Sequence, residues 1–158
     1  MKPKERTTMK IDYATEVNVE TLVQFMHDLW PDAPIEELQM EVKLGLASKK
    51  MHYFIASNEH GEAVGFCQLS FRHDYVPGSS TSPTAYVEGI YVSESERHRG
   101  VASRLVDAAS TFAVRHGCIE LASDTELENE DSQRFHEKVG FKEVERVVAY
   151  MKNLSHES

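Results

Sequence analysis

Two groups of residues in this chain have types and spacings suited to chemistry. The first is the cationic turn Arg97, His98, Arg99 and Gly100, followed at once by Val101 and Ala102. The first amides of a helix lack partners inside it and lie at the positive end of its dipole, so a helix starting here would hold a phosphate. Gly100 lets the backbone approach closely, Arg97 and Arg99 supply donors suited to phosphate oxygens, and a protonated His98 adds another. Taken alone, an Arg-x-x-Gly-x-Ala string also describes an ordinary solvated turn, so its surroundings decide. The second group is acidic. Glu88 interrupts a run of β-branched and aromatic residues from Tyr86 to Val92, and Asp124 follows the strand-like segment 118–123. A charge inside an apolar strand is costly unless it is paired or working.

The elements that must position these groups follow from periodicity. Residues 84–92 read as a buried strand with an irregularity at Glu88 and Gly89. Val101, Ala102, Leu105, Val106, Ala109, Phe112 and Ala113 then form one face of a helix ending near Gly117. Residues 118–123 are the next strand. Strand, crossover helix and strand make a right-handed βαβ unit, whose ligands gather at the carboxyl ends of the parallel strands. That brings the 97–102 turn, Asp124 and the end of strand 84–92 to one side of the sheet.

Upstream, residues 9–14 alternate as a first strand, and Asn18 caps a helix with Val19, Leu22, Val23, Met26, Leu29 and Trp30 on its apolar face, stopped by Pro31. Trp30 either closes the core or, beside Asp32, lines a cationic site. A second helix runs from about Pro34 to Ser48. Strands 51–57 and 62–72 pair through a turn at Asn58–Gly61, and 73–83 is a loop rich in turn formers. Downstream, a helix from about Asn129 to Val139 is closed by Gly140, and 141–151 reads as a final alternating strand.

At 158 residues the chain has the size of one domain, expected to span 1–158 with residues 1–8 loose. It is 41% hydrophobic and 27% charged, without an apolar run of membrane-spanning length or a signal-peptide core, so a cytoplasmic protein is expected. A net charge of −9 argues against a nucleic-acid surface and leaves room for a cationic ligand. Cys67 and Cys118 lack the spacing of a redox or metal pair, and the eight histidines form no ligand motif, so no metal is expected.

The order of elements together with the Arg97, Gly100, Ala102 turn resembles the GNAT acetyltransferases. More narrowly, Leu29-Trp30-Pro31, Arg72 to Val76, Ser82-Pro83, Glu88 to Ile90, Arg99 to Ala102, Ala122 to Thr125, Glu128-Asn129 and Val139 to Phe141 resemble the aminoglycoside 6′-N-acetyltransferases. The resemblance implies an α+β fold of α/β/α layers, with a mixed sheet of about seven strands, about four helices and a splayed parallel pair. It implies acetyl-CoA as co-substrate, a polycationic aminoglycoside as acceptor, antibiotic resistance as the outcome, and a homodimer. Backbone amides of Arg97, His98, Arg99, Gly100, Val101 and Ala102 would cradle the pyrophosphate of CoA. Ile90, Tyr91 and Val92 would pair with the pantetheine arm and present an oxyanion donor, and Asn129 would add a cofactor contact.

Acyl transfer needs a neutral amine, and an alkylamine is protonated near pH 7. The resemblance places acidic substrate contacts at Glu88, Asp124 and Glu145, and aromatic ones at Trp30 and Tyr75; His73 and Asp74 share the loop. Asp124 is expected to act as base, directly or through water, while Glu88 and Glu145 hold the polycation. Read from the residues alone, Glu88 could equally take backbone hydrogen bonds at a bulge, Asp124 cap a loop and Glu145 lie exposed on a strand. Many GNAT enzymes carry a tyrosine where this chain has His136, which leaves the general acid open between His136, Tyr150 and water. Cys67 has no base partner, which favours direct attack over a covalent enzyme intermediate. Two other readings remain: a GNAT enzyme for a polyamine or protein amino group, and a non-catalytic module that binds CoA or a cationic ligand.

Overall fold

A computed structural model describes residues 9–155; the expectation for residues 1–8 lies outside the described residues. In chain order the elements are β1 (Lys10–Tyr13), α1 (Val19–Leu29), α2 (Ile35–Ala47), β2 (Met51–Ser57), β3 (Ala63–Arg72), β4 (Thr84–Val92), α3 (Val101–Arg115), β5 (Leu121–Ser123) and α4 (Glu130–Lys138). They fall into two compact units, one running to Asp124 and the other from Thr125.

The first unit is built on one sheet in the order β1-β2-β3-β4-β5. The first four strands are antiparallel neighbours, and β4 pairs with β5 in parallel. Alternation along the strands sends side chains to opposite faces. On one face Phe54, Cys67, Leu69, Ala85 and Val87 meet Val101, Leu105 and Ala109 of α3. On the other, Tyr53, Ile55 and Phe66 meet Leu22, Phe25 and Met26 of α1 and Leu38 and Val42 of α2. Full burial of a side chain such as Phe66 stabilises the fold by about 1.5–3 kcal/mol.

Two irregularities shape the β4 end of the sheet. The β3–β4 register passes from Gln68↔Gly89 to Leu69↔Val87, so Glu88 is the extra residue of a bulge. The β4–β5 ladder covers only Ala85↔Leu121, Tyr86↔Ala122 and Val87↔Ser123. From Gly89 onward β4 keeps its β3 partner and has no β5 partner among the described residues.

In the second unit Asn129 caps α4, its Oδ1 accepting the Ser132 amide at 3.0 Å, and Gly140 (φ 102°) follows the helix. Residues 141–151 correct the expectation of a final strand, because they carry no strand pairing in the structure. Among the described residues the sheet therefore has five strands rather than about seven. An alternating sequence can line a pleated face, but a strand exists only when a neighbour supplies its ladder. Val144, Val147, Val148, Tyr150 and Met151 are accordingly exposed. Segment 118–123 also shortens, to the three residues of β5. Among the described residues, no helix is long and apolar enough to cross a membrane.

Candidate active site

The bulge aims Glu88 at residues of β3. Its Oε1 accepts Ser70 Oγ at 2.6 Å and Arg72 Nε at 2.9 Å, and its Oε2 accepts Arg72 Nη2 at 2.8 Å. This is a bidentate, charge-assisted pair, and it lies half-buried. Arg72 also stacks on Tyr86, its guanidinium carbon 3.4 Å from the ring centre. The Tyr86 hydroxyl in turn donates to Asp124 Oδ2. Glu88 and Asp124, 36 positions apart by their numbers, are thus joined through Arg72 and Tyr86.

The electrostatics agree with this chain of contacts. The hydrogen bond to Glu88 pushes the Arg72 pKa up despite desolvation, and the nearby charge of Asp124 adds to the effect. Burial, followed by the bond to Asp124, raises the Tyr86 phenol well above its ordinary value, so it remains a donor throughout the neutral range. Asp124 is exposed directly after β5. It is the carboxylate of this network open to an incoming ammonium, whereas Glu88 already has a cation.

Trp30, the residue that ends α1, is brought to the same place by a glycine. A Cβ on Gly89 would stand 2.6 Å from Trp30 Cη2 and 2.9 Å from Cζ2, so the indole occupies the space that the missing side chain leaves. Trp30 therefore lies against the residue after Glu88. Tyr75 sits in the 73–83 loop, 83% exposed. Glu145 is exposed in the second unit, where Asn129 serves as the α4 cap, His136 Nδ1 lies 2.7 Å from the Ser132 carbonyl and Tyr150 is exposed.

The cationic turn has the geometry of an anion cradle. Gly100 is the N-cap of α3 in the left-handed region (φ 82°), with no side-chain cap and nothing within 4 Å of where its Cβ would be. The first helical bond runs from the Arg104 amide to the Gly100 carbonyl, leaving the preceding amides without helical acceptors. His98 also has positive φ (65°). The arginines are partly committed: Arg97 Nε donates to the Val92 carbonyl at 3.0 Å, and Arg99 pairs with Glu96 at 3.7 Å. Arg97 thereby ties the turn to the end of β4, next to Ile90, Tyr91 and Val92. The outer edge of that stretch, open where β5 stops, has the backbone groups to pair with an amide-bearing chain. These features fit a long phosphorylated thioester.

Cys67 is fully buried, and burial pushes its thiol up to about 12, so it is no nucleophile at neutral pH. Among the described residues no group of three or more metal-ligating side chains comes together.

Sequence reasoning did not single out Arg72, Ser70 or Tyr86 for the site. The signal was available in the period of two: Ser70 and Arg72 share one face of β3, and Tyr86 precedes Glu88 by two on β4. The Ser70↔Tyr86 register completes the set.

A parallel ladder that stops at Val87, an uncapped helix start after a left-handed glycine, and an exposed carboxylate just past the ladder together fit an acyl-CoA-dependent transferase. The chain belongs to the acetyltransferase (GNAT) family, whose model matches residues 19–141. It is 42% identical over 137 residues to an aminoglycoside N(6′)-acetyltransferase type 1 from Serratia marcescens, covering 87% of this chain and 94% of that one. It is 43% identical over 124 residues to a protein of the same name from Salmonella typhimurium, covering 78% and 85%. Among solved structures it resembles aminoglycoside N-acetyltransferase AAC(6′)-Iy in complex with CoA, with a TM-score of 0.89 and 37% identity over 95% of this chain and 98% of that one. The same enzyme bound to a bisubstrate analogue, CoA-S-monomethyl-acetylneamine, also gives 0.89, at 38% identity over 93% and 99%.

Proposed function

We propose that this protein transfers the acetyl group of acetyl-CoA to the 6′-amine of aminoglycoside antibiotics and thereby confers resistance to them. The observation that carries the reading is Asp124, exposed at the end of β5 and held by Tyr86, beside the stretch of β4 that lacks a parallel partner. Identity above 40% to aminoglycoside N(6′)-acetyltransferases supports the substrate class.

Bound acetyl-CoA supplies an acyl thioester, an electrophile that a neutral amine attacks directly. The amides of residues 97–102 receive its phosphates. The exposed edge of Ile90 to Val92 aligns its amide-bearing arm and offers an N–H to the thioester oxygen. Asp124 binds the 6′-ammonium and accepts its proton, directly or through water. Tyr86 fixes the carboxylate, and the Arg72–Glu88 pair sets the charge around it. Trp30 and Tyr75 supply aromatic faces for a cationic sugar.

We further propose a homodimer in the cytoplasm, where acetyl-CoA is made. The exposed apolar side chains at Val144, Val147, Val148, Tyr150 and Met151 favour cover by a second copy. Sedimentation equilibrium tests this, since a monomer at micromolar concentration contradicts it.

The experiment for the activity is CoA thiol release from acetyl-CoA with kanamycin, an aminoglycoside lacking a 6′-amine, spermidine and a lysine peptide. Turnover with kanamycin alone is the expected result. Turnover only with spermidine or the peptide replaces the acceptor, and silence with all four leaves a binding module.

A further inference from the structure

Glu120, the residue before β5, has no role in the acetyl transfer itself, yet it is among the most heavily hydrogen-bonded carboxylates of the chain. Its Oε1 lies 2.9 Å from Ser79 Oγ, 2.9 Å from the Ser80 amide, 3.0 Å from the Thr81 amide and 2.7 Å from Thr81 Oγ1. Two backbone N–H groups and three hydroxyls from three successive residues converge on one anionic oxygen, the Ser80 hydroxyl being the most distant at 3.5 Å. Bonds from the Thr81 hydroxyl, the Ser80 amide and the Ser79 hydroxyl hold the Glu120 carboxyl below its usual range, so it stays charged at neutral pH.

The segment it grips is the far half of the 73–83 loop, and that half is tied to the near half. The Ser79 amide donates to the Val76 carbonyl at 3.0 Å, and Ser82 Oγ donates to the His73 carbonyl at 3.2 Å. Val76 is 3% exposed, Ser79 Oγ lies 2.7 Å from buried Thr84 Oγ1, and Thr84 opens β4. The loop is therefore pinned from below at Val76 and Thr84 and from the side by Glu120. Tyr75, beside the Val76 pin, projects from it.

We propose that Glu120 is a positioning residue for the amine substrate, its carboxylate clamping the 73–83 loop to the base of β5 so that Tyr75 and Asp124 share one rigid frame. The inference rests on the aminoglycoside-acetyltransferase reading of the site. Glu120 lies four residues before Asp124, immediately ahead of the strand that delivers it. A clamp at that point sets the loop against the same backbone that carries the base, and its hydrogen bonds go to Ser79, Ser80 and Thr81.

The test measures KM for kanamycin and for acetyl-CoA, together with amide hydrogen exchange at 79–82, in the wild type, Glu120→Gln and Glu120→Ala. Glu120→Ala is expected to raise the kanamycin KM at least tenfold, to leave the acetyl-CoA KM within twofold and to speed exchange at Ser80 and Thr81. Glu120→Gln retains an acceptor oxygen without the charge and falls between the two. If Glu120→Ala does not fold, the Ser79→Ala, Thr81→Val double variant removes the two shorter hydroxyl bonds from the loop side and is expected to shift the kanamycin KM in the same direction. An unchanged kanamycin KM in folded variants overturns the proposal, as does a parallel rise in both KM values, which marks general destabilisation. Wild-type silence toward kanamycin overturns the underlying reading instead, and the proposal with it.

Discussion

The hydroxyl of Tyr86 donates to Asp124 Oδ2 across the last rungs of the only parallel pairing among the described residues. The bond fixes one oxygen of an otherwise exposed carboxylate, and burial of the phenol keeps the donor protonated. Replacing Asp124 by Asn removes the proton acceptor while preserving shape, and kcat with kanamycin is expected to fall by about 10²–10⁴-fold. Tyr86→Phe removes only the orienting bond, for a loss in kcat/KM of roughly tenfold or more, the scale of one hydrogen bond to a charged group. Thiol-release kinetics separates the two, and equal losses would contradict the division of roles.

Arg72 neutralises Glu88 inside the site, so its removal strands a half-buried carboxylate that keeps the hydrogen bond from Ser70. Because the Arg72 side chain is more than a third exposed, the full cost of a buried pair does not apply, and Arg72→Ala is expected to destabilise by about 1–2 kcal/mol. Urea unfolding measures this. The double variant Arg72→Ala, Glu88→Gln should recover part of the loss, since it removes the stranded charge as well.

Gly89→Ala tests how Trp30 is seated. The new Cβ would fall within 3 Å of the indole, against atoms of a packed ring, so Trp30 must move. Overpacking of this kind costs about 1–3 kcal/mol. The expected signature is a change in the fluorescence of the single tryptophan together with a raised kanamycin KM. An unaltered emission spectrum would show that the indole is not held there.

Much of this arrangement was legible in the sequence, for identifiable reasons. Asn18 does stand just before α1, although its side chain accepts the Thr15 amide and makes no cap bond to the helix, and Pro31 follows the helix end because proline chemistry acts locally. The Glu88–Gly89 irregularity could be read because a carboxylate and a glycine stand out in an apolar strand, and the bulge lies there. What stayed hidden was pairwise. Arg72 could be placed on a face but not matched to Glu88, since the register that joins them depends on where the bulge falls. Residues 141–151 misled in the opposite direction, because their alternation records a capacity to pair and says nothing of a partner.

A further prediction comes from the core. Tyr53 is 2% exposed and its hydroxyl has no hydrogen-bond partner among the described residues, while burial raises its pKa to about 12. A phenol protonated more tightly in the folded than in the unfolded state contributes stability that is complete below pH 10 and is lost as pH rises from 10 to about 12. Tyr53→Phe discards the unsatisfied hydroxyl, so it is expected to be neutral or stabilising at pH 7 and to lessen the alkaline loss. Thermal melts at pH 7 and pH 11 check both halves, and a destabilised variant at pH 7 would show that the hydroxyl has a partner after all.

The three-residue β4–β5 ladder has a consequence for how such a protein can diversify. Past Val87, whatever docks along β4 is read through the peptide backbone, which every amino acid supplies alike. The side chains of that stretch are therefore released from recognising the donor. Diversification there is limited instead by fit within the protein, since Glu88 answers Arg72, Gly89 leaves room for Trp30 and Val92 fills the core, so the half of the strand that meets the co-substrate is kept constant by its neighbours and not by its ligand.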